Sequence, residues 1–260
     1  MDSSLVNIER RDSFAIIRLS HSDKNGALSS EMIVTLKQSF QNLEKQTDLR
    51  AIILTGVGDG ESPPDIDNSR SEASTSTEMR EDPKEFQALS DQITKCTVPV
   101  IAAVDGLAAG EVLDLILACH LRIASSNAAF RFPKVKLDSN AGTSTVQRLA
   151  CEIGNEVALE ICRSGKTVLA EEALRIGLIN RIAHADQLLM EAESLARLIS
   201  TMAPLAIRAC LEAVTRGVDL PLADGLDLET QLFASLFATN DVREGTNAFL
   251  EKRQPVFKGM

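Results

Sequence analysis

Aromatic and imidazole side chains are scarce in this sequence of 260 residues, which has no tyrosine, no tryptophan and nine phenylalanines. The absence of tyrosine excludes any mechanism that needs a tyrosine acid, and the shortage of aromatics excludes stacking platforms for single-stranded nucleic acid. Histidine occurs only at positions 21, 120 and 184. We therefore expect neither a Ser-His-Asp triad nor a histidine-based metal site, and no metal site is predicted.

Positive charge and long apolar runs are also lacking. The net charge is −10 and the sequence pI is about 4.9, which argues against nucleic-acid binding. No apolar run reaches the roughly 20 residues needed to cross a bilayer, and the N-terminal residues have no secretory-signal pattern. The five cysteines show no CxxC or metal-like spacing. These features predict a cytoplasmic protein, without a membrane partner, whose thiols are reduced and mostly buried.

Strand-like and helix-like patterns alternate up to about residue 155. Runs rich in Ile and Val, bounded by Gly, Asp or Pro, predict strands at Phe14–Leu19, Ala51–Thr55 and Val98–Val104. Ser29 precedes apolar residues at helical spacing, which predicts a helix that begins there. The alternation indicates an α/β fold. Residues 60–84, rich in Pro, Ser, Thr and charge, predict a long loop that is either a lid or disordered.

From about Asn155 onward the sequence is mostly helical. A helix that ends near Gly177 is followed by three amphipathic helices, at Ala185–Met202, Pro204–Arg216 and Leu220–Phe237. These helices are more apolar than one core needs, which indicates either self-association or a satellite core. We predict a division into a core at residues 1–195 and a helical region at residues 196–260.

Several segments, in order along nearly the whole chain, carry a resemblance to a known family. They are Ser22–Ser29 (SDKNGALS), Thr55–Asp59 (TGVGD), Thr167–Asn180 (TVLAEEALRIGLIN) and Phe249–Phe257 (FLEKRQPVF). Val98–Leu149 adds an apolar run ending in Asp-Gly, a small-residue turn, a helix and an R-I-A strand. The chain thereby resembles the crotonase (enoyl-CoA hydratase/isomerase) superfamily. The resemblance implies an α/β fold with a crotonase-like ββα spiral core and a C-terminal helical trimerisation region.

The resemblance also implies an oxyanion hole, in which two backbone N–H groups stabilise the enolate-like charge that develops on a thioester carbonyl. The first donor falls at Ile66 and the second at Glu111. The family usually has small residues or glycine at these places, and glycine tolerates positive φ and close ligand approach where Glu111 and Val112 do not. Asp65, beside the first donor, repels a developing oxyanion if its side chain points inward.

The two acid/base glutamates of hydratases in this family are replaced, by Asp114 and Lys134. Asp114 keeps a carboxylate with one methylene less reach, and dienoyl-CoA isomerases of the superfamily also have aspartate there. Four roles are open for Lys134: an acid or base with lowered pKa, a positive charge facing an enolate or a substrate carboxylate, an ion-pair partner that silences Asp114, or a solvent-exposed lysine. His120, at a helix end, is expected to be structural.

By the same resemblance, the ligand is an acyl thioester of coenzyme A, and no cofactor other than this coenzyme A is expected. Lys24, with the backbone at Ala27 and Leu28, is assigned to the adenine and phosphate end, and Asp67 to the same binding site. Lys252, on the last helix, is expected to reach phosphates of its own or a neighbouring subunit. The expected partners are therefore acyl-CoA and further copies of the chain, as a trimer or hexamer.

Three functions are compatible with these residues. The leading hypothesis is an enzyme of the enoyl-CoA hydratase/isomerase type, with weak hydratase activity and with Asp114 as the acid/base group in isomerisation or another enolate reaction. The first alternative is a non-catalytic relative that binds acyl-CoA or a protein partner. The second is a carboxyacyl-thioester decarboxylase that uses Lys134.

Overall fold

The computed structural model describes residues 5–20, 28–57, 83–132 and 145–260. Strands in these ranges lie at Val6–Arg11 (β1), Phe14–Leu19 (β2), Ala51–Val57 (β3), Val100–Val104 (β4), Leu107–Ala109 (β5), Leu121–Ser125 (β6), Ala129–Arg131 (β7), Thr167–Leu169 (β8) and Arg181–Ala183 (β9). The α-helices lie at Ser30–Glu44 (α1), Pro83–Thr94 (α2), Gly110–Ala118 (α3), Thr145–Ile153 (α4), Asn155–Ser164 (α5), Ala170–Arg175 (α6), Leu188–Ser200 (α7), Pro204–Gly217 (α8), Leu222–Leu236 (α9) and Asn240–Glu251 (α10).

The chain contributes strands to two sheets in turn. The larger sheet has the order β1-β2-β3-β4-β6-β9, in which β1 and β2 form an antiparallel hairpin and the other neighbours are parallel. The smaller sheet has the order β5-β7-β8. The segments β4-β5-α3 and β6-β7-α4 each add one strand to each sheet and then a helix. This repeat is the ββα turn that the predicted spiral core requires.

The central parallel strands are buried on both faces, which explains why their sequences are continuously apolar. Side chains alternate between the faces along each strand. Ile52 and Leu54 of β3 face a core shared with helices α1, α2 and α3, whereas Ile53 faces a second core. Helix α7 closes that second core with Ala192 and Ala196, whose small side chains allow close packing on the sheet.

The end of strand β3 is irregular, and a glycine is required there. The pairing of β3 with β4 shifts between Leu54 and Val57, and Gly56 has a φ of 74°. A Cβ atom on this residue would lie 2.2 Å from the carbonyl oxygen of Leu19 on the neighbouring strand. Only glycine fits both the left-handed backbone and this close approach, which gives the T-G segment its physical reason.

The helices predicted from the sequence are present, with small differences at their ends. The Ser29 side chain caps α1 by accepting the N–H of Met32 at 3.1 Å, as its N-cap position predicted. The predicted helix at Ala185–Met202 is a 3₁₀ turn at Ala185–Gln187 followed by α7. The predicted loop at residues 60–84 lies outside the described residues, except that residues 83 and 84 already belong to α2, where a proline in the first turn is favourable.

Helices α8 and α9 bury no residue within this chain. The C-terminal residues fold back on α10, where the Asp241 carboxylate accepts the backbone N–H groups of Lys258 and Gly259, each at 2.8 Å.

The predicted division at residue 195 stays a prediction, because α7 spans it and packs on the larger sheet from both sides of that residue. In the described ranges, no single helix is long and apolar enough to cross a membrane, although residues 185–200 and 204–217 pass that test as a pair bent by 109°.

Candidate active site at the N-terminus of α3

Helix α3 begins directly after strand β5, at a turn formed by Ala109 and Gly110. Ala109 is extended and provides no side-chain cap, and Gly110 adopts a left-handed φ of 55°. Glu111 and Val112 have no positive φ, so the backbone cost expected for replacing glycine at these two positions does not arise. The residue of this turn that takes the left-handed conformation is Gly110, at a position where the family also has glycine. The first turn of α3 therefore presents its N–H groups and the positive end of the helix dipole at this point.

Asp114 lies one turn further along α3 and is completely buried, with a relative exposure of 0%. Within the ranges that the structure describes, neither of its carboxylate oxygens has a hydrogen-bond partner of ordinary geometry. Burial raises the pKa of Asp114 from 3.8 to about 6, because a carboxylate that is removed from water loses its hydration. Thr145 and Arg148 of α4 oppose this rise by favouring the charged form, and the carboxylate of Glu111 adds to it.

Helix α4 presents a line of polar residues to the rest of the site. Thr145 is buried, and Arg148 follows one turn later on the same face of the helix. The Arg148 guanidinium donates to the Thr94 hydroxyl at 2.8 Å and to the Asp91 carboxylate at 3.0 Å, both on α2. Arg148 is thus fixed by two side chains of α2 while it also acts electrostatically on Asp114 of α3.

The Glu111 carboxylate reaches across the site to the segment before α1. It accepts the backbone N–H of Leu28 at 2.8 Å, and the Leu28 side chain is buried. The resemblance had assigned the Leu28 backbone to coenzyme A. The structure adds that a carboxylate of the same chain already binds this N–H group.

Other polar groups near α3 have structural roles. Both ring nitrogens of His120 contact the backbone, Nδ1 accepting the N–H of Val100 at 2.9 Å and Nε2 lying 3.2 Å from the Thr94 carbonyl. Burial lowers the pKa of His120, so its predicted structural role is confirmed. Arg122 is buried and pairs with Glu152 of α4, while it donates to the carbonyl oxygens of Leu178 and Cys119.

The buried thiols are not positioned for nucleophilic chemistry. All five cysteines are free, and Cys96, Cys119 and Cys162 are buried, as the composition predicted. Burial raises the pKa of Cys96 and of Cys119 to about 12, which keeps both as neutral thiols. Among the residues that the structure describes, no group of three or more His, Cys, Asp or Glu side chains could hold a metal ion.

Several predicted site residues lie outside the described residues and stay predictions. These are Lys24, Ala27, Ile66, Asp67 and Lys134. The four roles considered for Lys134, including the decarboxylase hypothesis, therefore remain open.

Lys252 is the C-cap of α10. It is an exposed residue with a left-handed φ of 55°. Its predicted contact with phosphate stays a prediction as well.

Comparison with known proteins assigns the chain to a family. The model of the enoyl-CoA hydratase/isomerase family matches residues 9–260. The chain belongs to this family. It is 30% identical over 258 residues to the short-chain-enoyl-CoA hydratase of Clostridium acetobutylicum, with 98% of this chain and 97% of that protein covered. It is 33% identical over 254 residues to the (E)-benzylidenesuccinyl-CoA hydratase of Thauera aromatica, with 98% and 99% covered.

Solved structures of crotonase-fold proteins agree with this assignment. The crystal structure of enoyl-CoA hydratase from Bacillus anthracis superposes with a TM-score of 0.88 at 28% identity, covering 99% of this chain and all of that one. An enoyl-CoA hydratase subunit structure from Geobacillus kaustophilus gives a TM-score of 0.84 at 34% identity, with 99% of each chain covered. The predicted crotonase fold is confirmed.

Two residues of this crotonase site were missed by the sequence analysis. Thr145 and Arg148 were not singled out, although their spacing of three residues, which places them on one helix face, was a usable signal. The Glu111–Leu28 contact had no such signal, because it joins residues 83 positions apart in the sequence.

Proposed function

We propose that this crotonase-family chain is an acyl-CoA-processing enzyme of the hydratase/isomerase type, in which Asp114 performs the proton transfer. The observation that carries the proposal is the buried Asp114 carboxylate, which lies one turn from the N-terminus of α3 and has no hydrogen-bond partner of ordinary geometry among the described residues. An unpartnered buried carboxylate destabilises a fold, so its presence beside a helix N-terminus indicates a catalytic group. No cofactor other than the coenzyme A of the substrate is required.

Isomerisation suits one carboxylate better than hydration does. In an isomerisation, the charged Asp114 removes a proton from the acyl chain, the electron pair moves toward the thioester oxygen, and the resulting carboxylic acid returns the proton to another carbon. Hydration needs a base for water and an acid for the α-carbon. The pKa of Asp114, raised to about 6, places both of its protonation states within reach near neutral pH.

We expect the hydratase activity of this chain to be lower than that of family members with two catalytic glutamates, and Glu111 is one reason. The helix N-terminus that would stabilise a developing enolate carries this carboxylate in its first turn. A negative charge there opposes a second negative charge on the thioester oxygen. Its hydrogen bond from the Leu28 N–H draws the carboxylate toward α1 and reduces this repulsion only in part.

We also propose that the protein is a homo-oligomer, trimeric or hexameric, that associates through its C-terminal helices. Helix α9 exposes Leu222, Leu226, Phe233 and Phe237, at spacings that place them on one face. Phe249 at the end of α10 is 82% exposed. Exposed apolar side chains on helices that fully bury no residue in their own chain are typical of a subunit interface.

The alternative function is acyl-CoA binding without catalysis. The specific observation in its favour is again the Glu111 carboxylate, which accepts the Leu28 N–H and adds negative charge in the first turn of α3. Under this alternative the fold and the coenzyme A site are retained while enolate formation is suppressed.

One set of assays separates these functions. We expect the chain to interconvert 2-enoyl and 3-enoyl thioesters, and to hydrate crotonyl-CoA at a rate more than tenfold below a typical kcat of roughly 10 s⁻¹. Asp114→Asn should lower isomerisation at least about 100-fold and preserve the thermal stabilisation by acyl-CoA. The exposed turn variant Asp12→Asn is the control. Stabilisation by acyl-CoA without turnover of any enoyl thioester would favour the binding protein.

A further inference from the structure

We propose that residues 253–260, called the strap below, form a latch that holds helix α10 in place and thereby completes the apolar surface on which a second copy of this chain binds. That surface belongs to the proposed homo-oligomer, on which this proposal rests. Docking of the strap is a property of a single chain, so it can be measured whether or not the protein associates.

Helix α10 has few direct contacts of its own. Helices α8 and α9 pack side by side, whereas α10 makes no extensive contact with another helix or strand of the described chain. Thr239 caps α10 by accepting the N–H of Val242 at 3.3 Å, which fixes the start of the helix but not its orientation. Yet α10 buries Asp241 and Ala248, so another part of the chain must cover this face.

The strap covers that face and is bonded to both ends of α10. The chain reverses at Lys252, which has a left-handed φ of 55°, and the Arg253 N–H donates to the Ala248 carbonyl at 3.0 Å. The strap then runs back along the helix until the Asn240 N–H donates to the carbonyl of Met260 at 2.7 Å. The orientation of α10 therefore depends on the strap.

Two carboxylates of α10 hold the strap between these ends. The buried Asp241 accepts two N–H groups of the strap, each at 2.8 Å. Glu244 accepts the Val256 N–H at 2.8 Å and binds the Arg253 guanidinium through both oxygens, at 2.6 and 2.9 Å. Hydrogen bonds to a charged group are stronger than neutral ones. The Glu244–Arg253 pair lies at the surface, where solvent weakens it, so Asp241 is the more important attachment.

The strap also lies against the first residue of α8. A Cβ atom on Gly245 of α10 would lie 3.5 Å from Cε1 of Phe257, so this ring rests on the backbone of α10. A Cβ atom on Gly259 would lie 3.1 Å from Cγ of Pro204, where α8 begins. The strap therefore fills the space between α10 and the start of α8 and sets their separation.

Phe257 forms part of the surface that the strap completes. It lines an apolar groove of about 490 Å³ between α8 and α10, together with Leu205, Leu236 and Phe249. Leu236 lies one turn after the exposed Phe233 on α9, so the groove adjoins the helix face through which association is proposed. This position makes a second copy of the chain the occupant of the groove, and loss of the strap removes one of its walls.

Two substitutions release different parts of the latch. Asp241→Asn keeps the size of the side chain but turns one acceptor into a donor, so the N–H groups of Lys258 and Gly259 should exchange with deuterium at least about tenfold faster. Phe257→Ala removes the ring and leaves both carboxylates. Each variant should associate at least about tenfold more weakly. The control is Glu156→Gln, which alters an exposed acid in the first turn of α5.

Three measurements are made on the full chain and on each variant. Hydrogen–deuterium exchange with mass spectrometry follows the strap, at the lowest protomer concentration, where association protects it least. Sedimentation velocity over a series of protomer concentrations gives the dissociation constant of the oligomer. Circular dichroism in the far ultraviolet shows whether the core is folded.

The expected result is faster strap exchange in Asp241→Asn and weaker association of both variants, with a folded core and with Glu156→Gln like the parent. Unchanged exchange in Asp241→Asn, or unchanged association despite a released strap or a missing ring, would overturn the proposal. If Asp241→Asn does not fold, the association of Phe257→Ala decides. A monomeric parent would overturn the homo-oligomer and the role of the strap in association, while faster exchange in Asp241→Asn would still show the latch itself.

Discussion

Replacing Asp114 by asparagine should stabilise the protein at neutral pH while it abolishes proton transfer. Asp114 is completely buried, no described residue forms a hydrogen bond of ordinary geometry with its carboxylate, and its pKa is raised from 3.8 to about 6. A raised pKa means that the folded state binds the proton more tightly than the unfolded state. Protonation therefore favours folding, and the charged carboxylate opposes it.

The sign and size of the effect follow from these pKa values. Below about pH 4, Asp114 is protonated in both states, and the contribution of the protonated group is fully present. As the pH rises from about 4 to about 6, the unfolded chain loses the proton first, and stability declines. Each pKa unit corresponds to about 1.4 kcal/mol, so the loss is about 3 kcal/mol above pH 6.

Urea unfolding followed by circular dichroism at pH 4 and pH 8 measures this difference. Asp114→Asn should differ little from the parent at pH 4 and should be more stable by about 3 kcal/mol at pH 8. The control Asp12→Asn, in the exposed β1–β2 turn, should show no such pH dependence. A constant difference between Asp114→Asn and the parent across this range would refute the reasoning, because it would show that Asp114 has no raised pKa in the folded state.

Three further perturbations test other parts of the structure. Glu111→Gln keeps the acceptor for the Leu28 N–H but removes the charge, and enoyl-thioester isomerisation should rise about tenfold; a fall in rate would instead make Glu111 a required base. Glu152→Gln removes the charge that faces the buried Arg122 but keeps an acceptor, and it should lower the free energy of unfolding in urea by about 1–2 kcal/mol, whereas no change would show that the ion pair does not stabilise the fold. Phe233→Ser should reduce the oligomer mass in sedimentation, and an unaltered mass would place the interface elsewhere.

The fold could be predicted because its signals are local and repeated. Continuous apolar runs predicted β2, β3 and β4, since parallel strands buried on both faces need such sequences. Ser29 predicted the start of α1 through its capping position. The helix ends were not predicted to the residue, as residues 185–187 show, because a single 3₁₀ turn at the start of a helix is too short to produce an apolar pattern of its own.

The candidate site could be predicted only in part. The position of Asp114 followed from the family resemblance, but its complete burial, which raises its pKa, depends on packing against helices that are distant in sequence. The expected backbone cost at Glu111 was wrong because Gly110 takes the left-handed conformation of the turn. The Glu111–Leu28 hydrogen bond could not be predicted, since nothing in either local sequence indicates the other.

The measurement that tests the account most directly is exchange of the α-protons of a saturated acyl-CoA with deuterium in heavy water, followed by mass spectrometry. Exchange reports removal and return of a proton without requiring the complete reaction or the right double bond. The account predicts exchange by the parent, its loss in Asp114→Asn, and acyl-CoA stabilisation of both proteins in thermal unfolding. Equal exchange by parent and variant, or none by a parent that acyl-CoA stabilises, would contradict the role of Asp114.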